Sequence, residues 1–216
     1  VSTVGMAKDY MFRHIEADEG LSNSQINTIF QDSRGYMWFG TSSGLNRYDG
    51  FQMKVYRSSM TDANSLPDSY IRDIREDVSG FLWVQTSEGY AIYNPATDSF
   101  DRDIRQHVFQ YGLAEEPTSV FVDKKGDFWF YLAGKGCYWY NIEQKILYPF
   151  EQGDGAGMLP EGDISYMTEC KEGILLVYTS GLLVCVNGDM RRVVWMNNYI
   201  PAKTAPRTHS YSAFVD

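Results

Sequence analysis

The chain has 216 residues, a net charge of −9, 44% hydrophobic and 15% aromatic residues, and 19 glycines. That length allows one large all-β domain or two small domains, with enough apolar material for a sizeable core, and the aromatic and glycine excess favours strands and tight turns. So acidic a chain repels phosphate backbones and lacks any Lys/Arg run, which argues against contact with nucleic acid, and no stretch of about 18 apolar residues offers a membrane-spanning helix.

In chain order the first predicted element is a strand at Phe12–Ile15, just before Gly20-Leu21-Ser22. A unit then recurs. Its anchor is a glycine at Gly35, Gly80, Gly126 and Gly173, with spacings of 45, 46 and 47 residues. Three residues before it stand Asp32, Asp77, Asp123 and Cys170; three residues after it stand Trp38, Trp83, Trp129 and Leu176. A second turn glycine follows at Gly44, Gly89, Gly136 and Gly181. Each unit therefore reads as an alternating strand, a D-x-x-G turn in which Asp bonds its own backbone, an aromatic strand, a short polar turn and a third strand. A fourth strand closes each unit at Met53–Tyr56, Phe100–Ile104, Ile146–Phe150 and Val193–Met196. Four short antiparallel strands in about 45 residues make one β-propeller blade.

The fold class is thus all-β, with four blades and a partial fifth in a single partial propeller over 1–216. The expected limits are 20–57, 65–104, 113–150 and 159–196 for the blades. Residues 1–19 supply a strand that would complete the last blade of a closed ring, and 209–216 begin a fifth. Four blades and a stub do not close a ring of this type, so a fragment of a longer, seven-bladed propeller is expected. The recurring Trp is read as a packing residue between blades. The chain starts at Val1, which suggests removal of an N-terminal segment.

Catalytic signals are weak. Gly40-Thr41-Ser42-Ser43-Gly44 fits G-x-S-x-G, but that motif needs a strand-to-helix turn, whereas here it joins two strands and Gln85-Thr86-Ser87-Glu88-Gly89 echoes it in the next unit. The three histidines, His14, His107 and His209, form no paired motif. Gly153-Asp154-Gly155-Ala156-Gly157 does not follow the dinucleotide fingerprint. Cys137, Cys170 and Cys185 lack C-x-x-C spacing and read as buried strand residues; one disulfide with a leftover thiol is compatible with their number. No catalytic residue, metal ligand or cofactor is assigned.

Binding is placed on one face of the blades, where the loops entering each first strand meet the turns between second and third strands. The entering loops are Asn23–Gln25, Asp68–Tyr70, Glu115–Thr118 and Glu161–Asp163. The turns include Ser42–Ser43, Ser87–Glu88 and Ala133–Lys135. Sugars favour an aromatic platform beside amide, hydroxyl and charged groups, and Gln25, Tyr70, Glu88 and Lys135 would supply them.

The segment from Gly20 to Gly50 resembles the two-component regulator propeller repeat. It carries Gly20-Leu21-Ser22, then Ile26, Ile29 and Asp32, then Gly35, Trp38, Gly40 and Thr41, then Gly44, Leu45 and Tyr48. The second unit keeps Ile71, Ile74, Asp77, Gly80, Trp83, Thr86 and Gly89 but has Gln85 where the family has Gly, and the fourth loses both Asp and Trp. The resemblance implies the N-terminal part of the periplasmic sensor region of a Bacteroidetes hybrid two-component system. It further implies a membrane-anchored homodimer with oligosaccharide ligands and a cytoplasmic histidine kinase and response regulator outside this sequence. The alternatives are a protein-interaction propeller and a propeller lyase.

Overall fold

A computed structural model describes residues 20–155 and 157–198. The strands expected at Phe12–Ile15 and in 209–216, together with His14 and His209, lie outside the described residues. The remainder forms four separate antiparallel sheets of four strands each, every one a meander of sequence neighbours. The first blade holds β1 (Ile26–Gln31), β2 (Met37–Thr41), β3 (Gly44–Tyr48) and β4 (Met53–Tyr56). The second holds β5 (Ile71–Glu76), β6 (Leu82–Thr86), β7 (Gly89–Asn94) and β8 (Ser99–Asp101), followed by a short helix α1 (Ile104–Phe109). The third holds β9 (Ser119–Val122), β10 (Phe128–Leu132), β11 (Gly136–Asn141) and β12 (Ile146–Glu151). The fourth holds β13 (Ile164–Cys170), β14 (Gly173–Tyr178), β15 (Leu182–Asn187) and β16 (Arg192–Asn198). This is the expected β-propeller arrangement.

One strand assignment is corrected. The expected fourth strand at Phe100–Ile104 ends at Asp101, and Ile104 begins α1. The Asp101 carboxylate accepts from Asp103 N at 2.9 Å, and Asp103 caps the helix by accepting from Arg105 N. Ile104 and Val108, one helical turn apart, are both buried against the second and third blades. The period-four spacing was present in the sequence, but six residues are too few to stand out beside the strand repeat.

The core is divided into slabs between blades. Trp38, Ile71, Ile74, Leu82, Val84 and Tyr93 fill the first seam. Trp83, Val108, Leu113, Phe128 and Phe130 fill the second, and Trp129, Trp139, Phe150, Ile174, Leu176 and Val186 fill the third. The tryptophans pack where the repeat placed them. Trp38 meets Tyr93 of the next blade edge-on with centroids 5.0 Å apart, and Trp83 meets Phe128 of the next at 5.5 Å.

Each of these tryptophans is held by the aspartate six residues before it. Asp32 accepts from Trp38 Nε1 at 2.8 Å, Asp77 from Trp83 Nε1 at 3.1 Å and Asp123 from Trp129 Nε1 at 3.1 Å. The same carboxylates accept two backbone amides of their own turns: for Asp32, Arg34 N at 3.0 Å and Tyr36 N at 2.9 Å. One side chain therefore shapes the turn and orients the ring that fills the seam.

Position 40 and its counterpart 85 join neighbouring blades in two ways. A Cβ on Gly40 would lie 2.5 Å from Thr28 and 2.6 Å from Ile71, so the first and second blades come together there only over a bare backbone. Gln85, the departure from the repeat, instead reaches Thr118 O of the third blade with its Nε2 at 3.1 Å. At the other end of the blades Glu76 accepts from Ser33 N and Oγ, both at 2.8 Å, and Glu169 accepts from Lys124 N at 2.6 Å.

The outer edge of the first seam carries a polar cluster. Asp98, at φ 54°, accepts from Tyr56 at 2.5 Å, from Tyr93 at 2.7 Å and from Lys54, while Arg47 donates to Tyr93 at 2.7 Å. Partial burial pushes the Asp98 carboxyl up, but the bonds from Lys54, Tyr56 and Tyr93 outweigh it and hold the group at about 2.

Asp32→Ala strands three donors in a buried site, and a loss of about 3 kcal/mol is expected from urea unfolding, since each unsatisfied buried donor costs about 1–3 kcal/mol. Asp98 titrates lower in the folded chain than the ordinary carboxylate value of about 3.9. Its contribution to stability is present above that value and lost as pH falls from there through about 2. Urea midpoints measured across that window should fall less steeply in Asp98→Asn than in the unsubstituted chain.

Candidate functional site

The antiparallel meander sends the loop entering each first strand and the turn between second and third strands to the same end of the blade. Hydrogen bonds tie the two together. Ser42 N donates to Gln25 O at 3.4 Å, Ser87 N to Tyr70 O at 3.1 Å and Thr179 N to Asp163 O at 2.8 Å. Ala133 N reaches the Thr118 hydroxyl at 3.1 Å. Side chains reinforce the pairing: Asn23 Nδ2 donates to Ser43 Oγ at 3.1 Å, and the Ser87 hydroxyl donates to Asp68 at 2.5 Å. β1 packs beside β5 and β5 beside β9, so the paired loops of successive blades stand next to one another.

The turns are set by threonines. Thr41 Oγ1 donates to Gly44 O at 2.9 Å and accepts from Ser43 N at 3.0 Å; Thr86 repeats this with Gly89 O at 2.7 Å and Glu88 N at 3.2 Å. Ser42 thus sits on a hairpin between β2 and β3 rather than on a strand-to-helix elbow. His107 lies on α1, where Nε2 contacts Asp101 at 3.1 Å, away from these loops.

The four sequence-expected residues all stand on this loop face, Gln25 on the first blade, Tyr70 and Glu88 on the second and Lys135 on the third. Gln25 and Glu88 are exposed, and Tyr70 is 40% exposed. Lys135 is exposed too, but its ammonium is paired with Glu115 of the neighbouring entry loop, and that bond raises its pKa. The face presents hydroxyl, amide and carboxylate groups with one half-exposed phenol ring, an assortment suited to hydrogen bonding.

Two recesses among the described residues lie elsewhere. One of about 400 Å³ sits at the opposite end of the third and fourth blades, between the turns at Asp123–Lys125 and Lys171–Gly173. It is edged by the ion pairs Lys124–Glu169 at 2.8 Å and Lys125–Asp189 at 2.6 Å. Another of about 580 Å³ opens on the outer rim of the second blade, beside Asn64, Asn94, Phe100 and Arg102. Neither was marked by a sequence motif, because each is made by residues from separate turns whose proximity depends on blade packing.

Four such blades, with polar loops gathered at one end, define a β-propeller domain. Residues 20–43 and 65–88, the first two strands of the first and second blades with the loops before them, match the family model of the two component regulator propeller. The chain is 40% identical over 66 residues to "Histidine kinase P4" of Formosa agariphila, an alignment covering 31% of this chain and 5% of that protein. Its fold is similar to the extracellular domain of a hybrid two-component system from B. thetaiotaomicron, with TM-score 0.62 and 21% identity over 84% of this chain and 26% of that one. A second extracellular domain from the same organism, described as belonging to a one-component system, matches with TM-score 0.50 and 18% identity over 82% of this chain and 31% of the other. The chain therefore spans about a quarter to a third of the length of these solved structures.

Asp68 titrates below the ordinary carboxylate range, chiefly because the Ser87 hydroxyl donates to it. Ser87→Ala should move the Asp68 pKa back up toward that range, followed by carbon-detected NMR titration; an unmoved value would mean that the hydroxyl does not hold the loop.

Proposed function

We propose that this chain is part of the extracytoplasmic ligand-sensing region of a hybrid two-component signalling protein. The observation that carries this is the pair of two-component regulator propeller repeats at residues 20–43 and 65–88, set in four blades whose loop ends gather polar side chains on one face. The proposed ligand is an oligosaccharide released by polysaccharide breakdown. Gln25, Tyr70 and Glu88 would contact it, with Lys135 available on release from Glu115. Sugars are held by amide, carboxylate and hydroxyl hydrogen bonds beside a ring face, and this face offers those groups.

The domain performs no chemistry in this proposal. Ligand binding would favour one of two arrangements of a homodimer, and only a difference in affinity between the two shifts their balance. The change would pass through a membrane anchor to a cytoplasmic histidine kinase and response regulator that control transcription of glycan-use genes. The location is the periplasm, as the sensor region of an inner-membrane protein.

Isothermal titration of the complete extracytoplasmic region against a panel of oligosaccharides tests this, with the present chain titrated in parallel. Saturable binding of one glycan class without product formation is expected, and Tyr70→Ala should weaken it about tenfold if the ring carries a sugar. Loss of binding in this chain alone would put the ligand on other blades. Silence across the panel would favour a protein partner, and product formation would overturn the non-enzymatic reading.

A further inference from the structure

In the fourth blade the Asp–Trp pair of the other three is replaced by Cys170 and Leu176. The turn changes with it. Cys170 pairs directly with Gly173 across a two-residue hairpin, whereas the Asp32 turn runs to Met37 before pairing resumes. Across the strand register Leu175 faces Cys185, and residues 173 and 175 share one face of β14. Cys170 and Cys185 therefore project from the same face of the sheet, on strands that flank β14. Gly173 contributes no side chain between them: a Cβ there would lie 2.1 Å from Val186 O, and its φ is +156°.

The result is a direct contact, with the two Sγ atoms 3.3 Å apart. Both cysteines are thiols, as is Cys137, which is buried in the third blade. Cys170 is half-buried and lines the recess of about 400 Å³, whereas Cys185 is buried behind it. Solvent and small reagents thus meet Cys170 first. Burial, together with the bond to Cys170, pushes the Cys185 thiol up to about 12.

We propose that Cys170 and Cys185 form an intrablade redox pair that closes to a disulfide, with Cys170 as the entry thiol and Cys185 as the resolving thiol. The oxidant is a low-molecular-weight disulfide reaching Cys170 through the recess. Cys170 loses its proton and its sulfur attacks one sulfur of the reagent, expelling the other half as a thiolate that takes up a proton. Cys185 then loses its proton and attacks Cys170 Sγ, expelling the second half as a thiol. Two protein thiols are oxidised and one small disulfide is reduced to two thiols. Closure brings the sulfurs about 1 Å closer, and because β14 lies between the two strands it also draws the Cys170 hairpin toward β15. The high pKa of Cys185 makes the second attack the slow one. Cys137 takes no part. An oxidising extracytoplasmic setting would keep the pair closed, but the chemistry is independent of any ligand.

The test uses the reduced chain incubated with glutathione disulfide, read by intact mass and by peptide mapping after differential alkylation. A transient single glutathione adduct on Cys170 should give way to a species lighter than the reduced chain by two hydrogens, with the two cysteines in one linked peptide pair. Cys185→Ser should stop at the adduct. Cys170→Ser, altered at the half-exposed position, should give neither adduct nor linkage while its circular dichroism stays unchanged. Linkage through Cys137, or an adduct that persists in the unsubstituted chain, would overturn the assignment. So would protection of both thiols by one equivalent of Zn(II), reversed by a chelator, because Cys170, Glu172 and Cys185 place their ligand atoms within 4.8 Å of one another and would then be a cation site. Failure of any kind leaves the sensor proposal standing, since that is read by ligand titration.

Discussion

The bond from tryptophan indole to aspartate carboxylate is the contact on which the rest of the chain depends. It joins two scales of structure. On the local scale Asp32, Asp77 and Asp123 each close a turn by accepting its backbone amides. On the larger scale each fixes the ring that fills the seam to the following blade. A carboxylate withdrawn from water is costly without partners, and each of these three accepts from two turn amides and an indole. The paired loops at the other end of the blades are presented side by side because these seams set the blade spacing.

The repeat was legible because its residues are used in the same way each time. Glycine and tryptophan at fixed distances from aspartate are rare enough to stand out, and each role they suggested, turn or seam, is the role they occupy. What the sequence concealed was pairing between residues far apart in the chain. The indole bond to Asp32 was invisible, since a residue read as a turn former gives no sign of a second partner. The function of Gln85 was equally hidden: it looked like drift from the glycine at position 40, yet it bridges to the next blade. Helix α1 was missed because Ile104 also satisfies the end of an apolar strand and six helical residues are too few to stand out beside the strand repeat.

Candidate ligand residues were legible only as positions. Loop topology placed Gln25, Tyr70, Glu88 and Lys135 on one face, but nothing in the sequence linked Lys135 to Glu115, twenty residues away. The two recesses escaped for the same reason, being formed between turns rather than within motifs. The fourth blade shows the converse case. Loss of Asp and Trp looked like decay, while the structure has Leu176 fully buried in the vacated seam and a thiol contact at the altered turn.

The meander order within every sheet has a kinetic consequence. Among the described residues every ladder joins consecutive strands, so each blade can zip from its own hairpins with only short loops to close. Among the described residues, docking of one blade on the next is the step that spans about a full repeat of chain. During synthesis each blade can therefore complete its ladder as it leaves the ribosome, and then offer one apolar side as the template on which its successor settles.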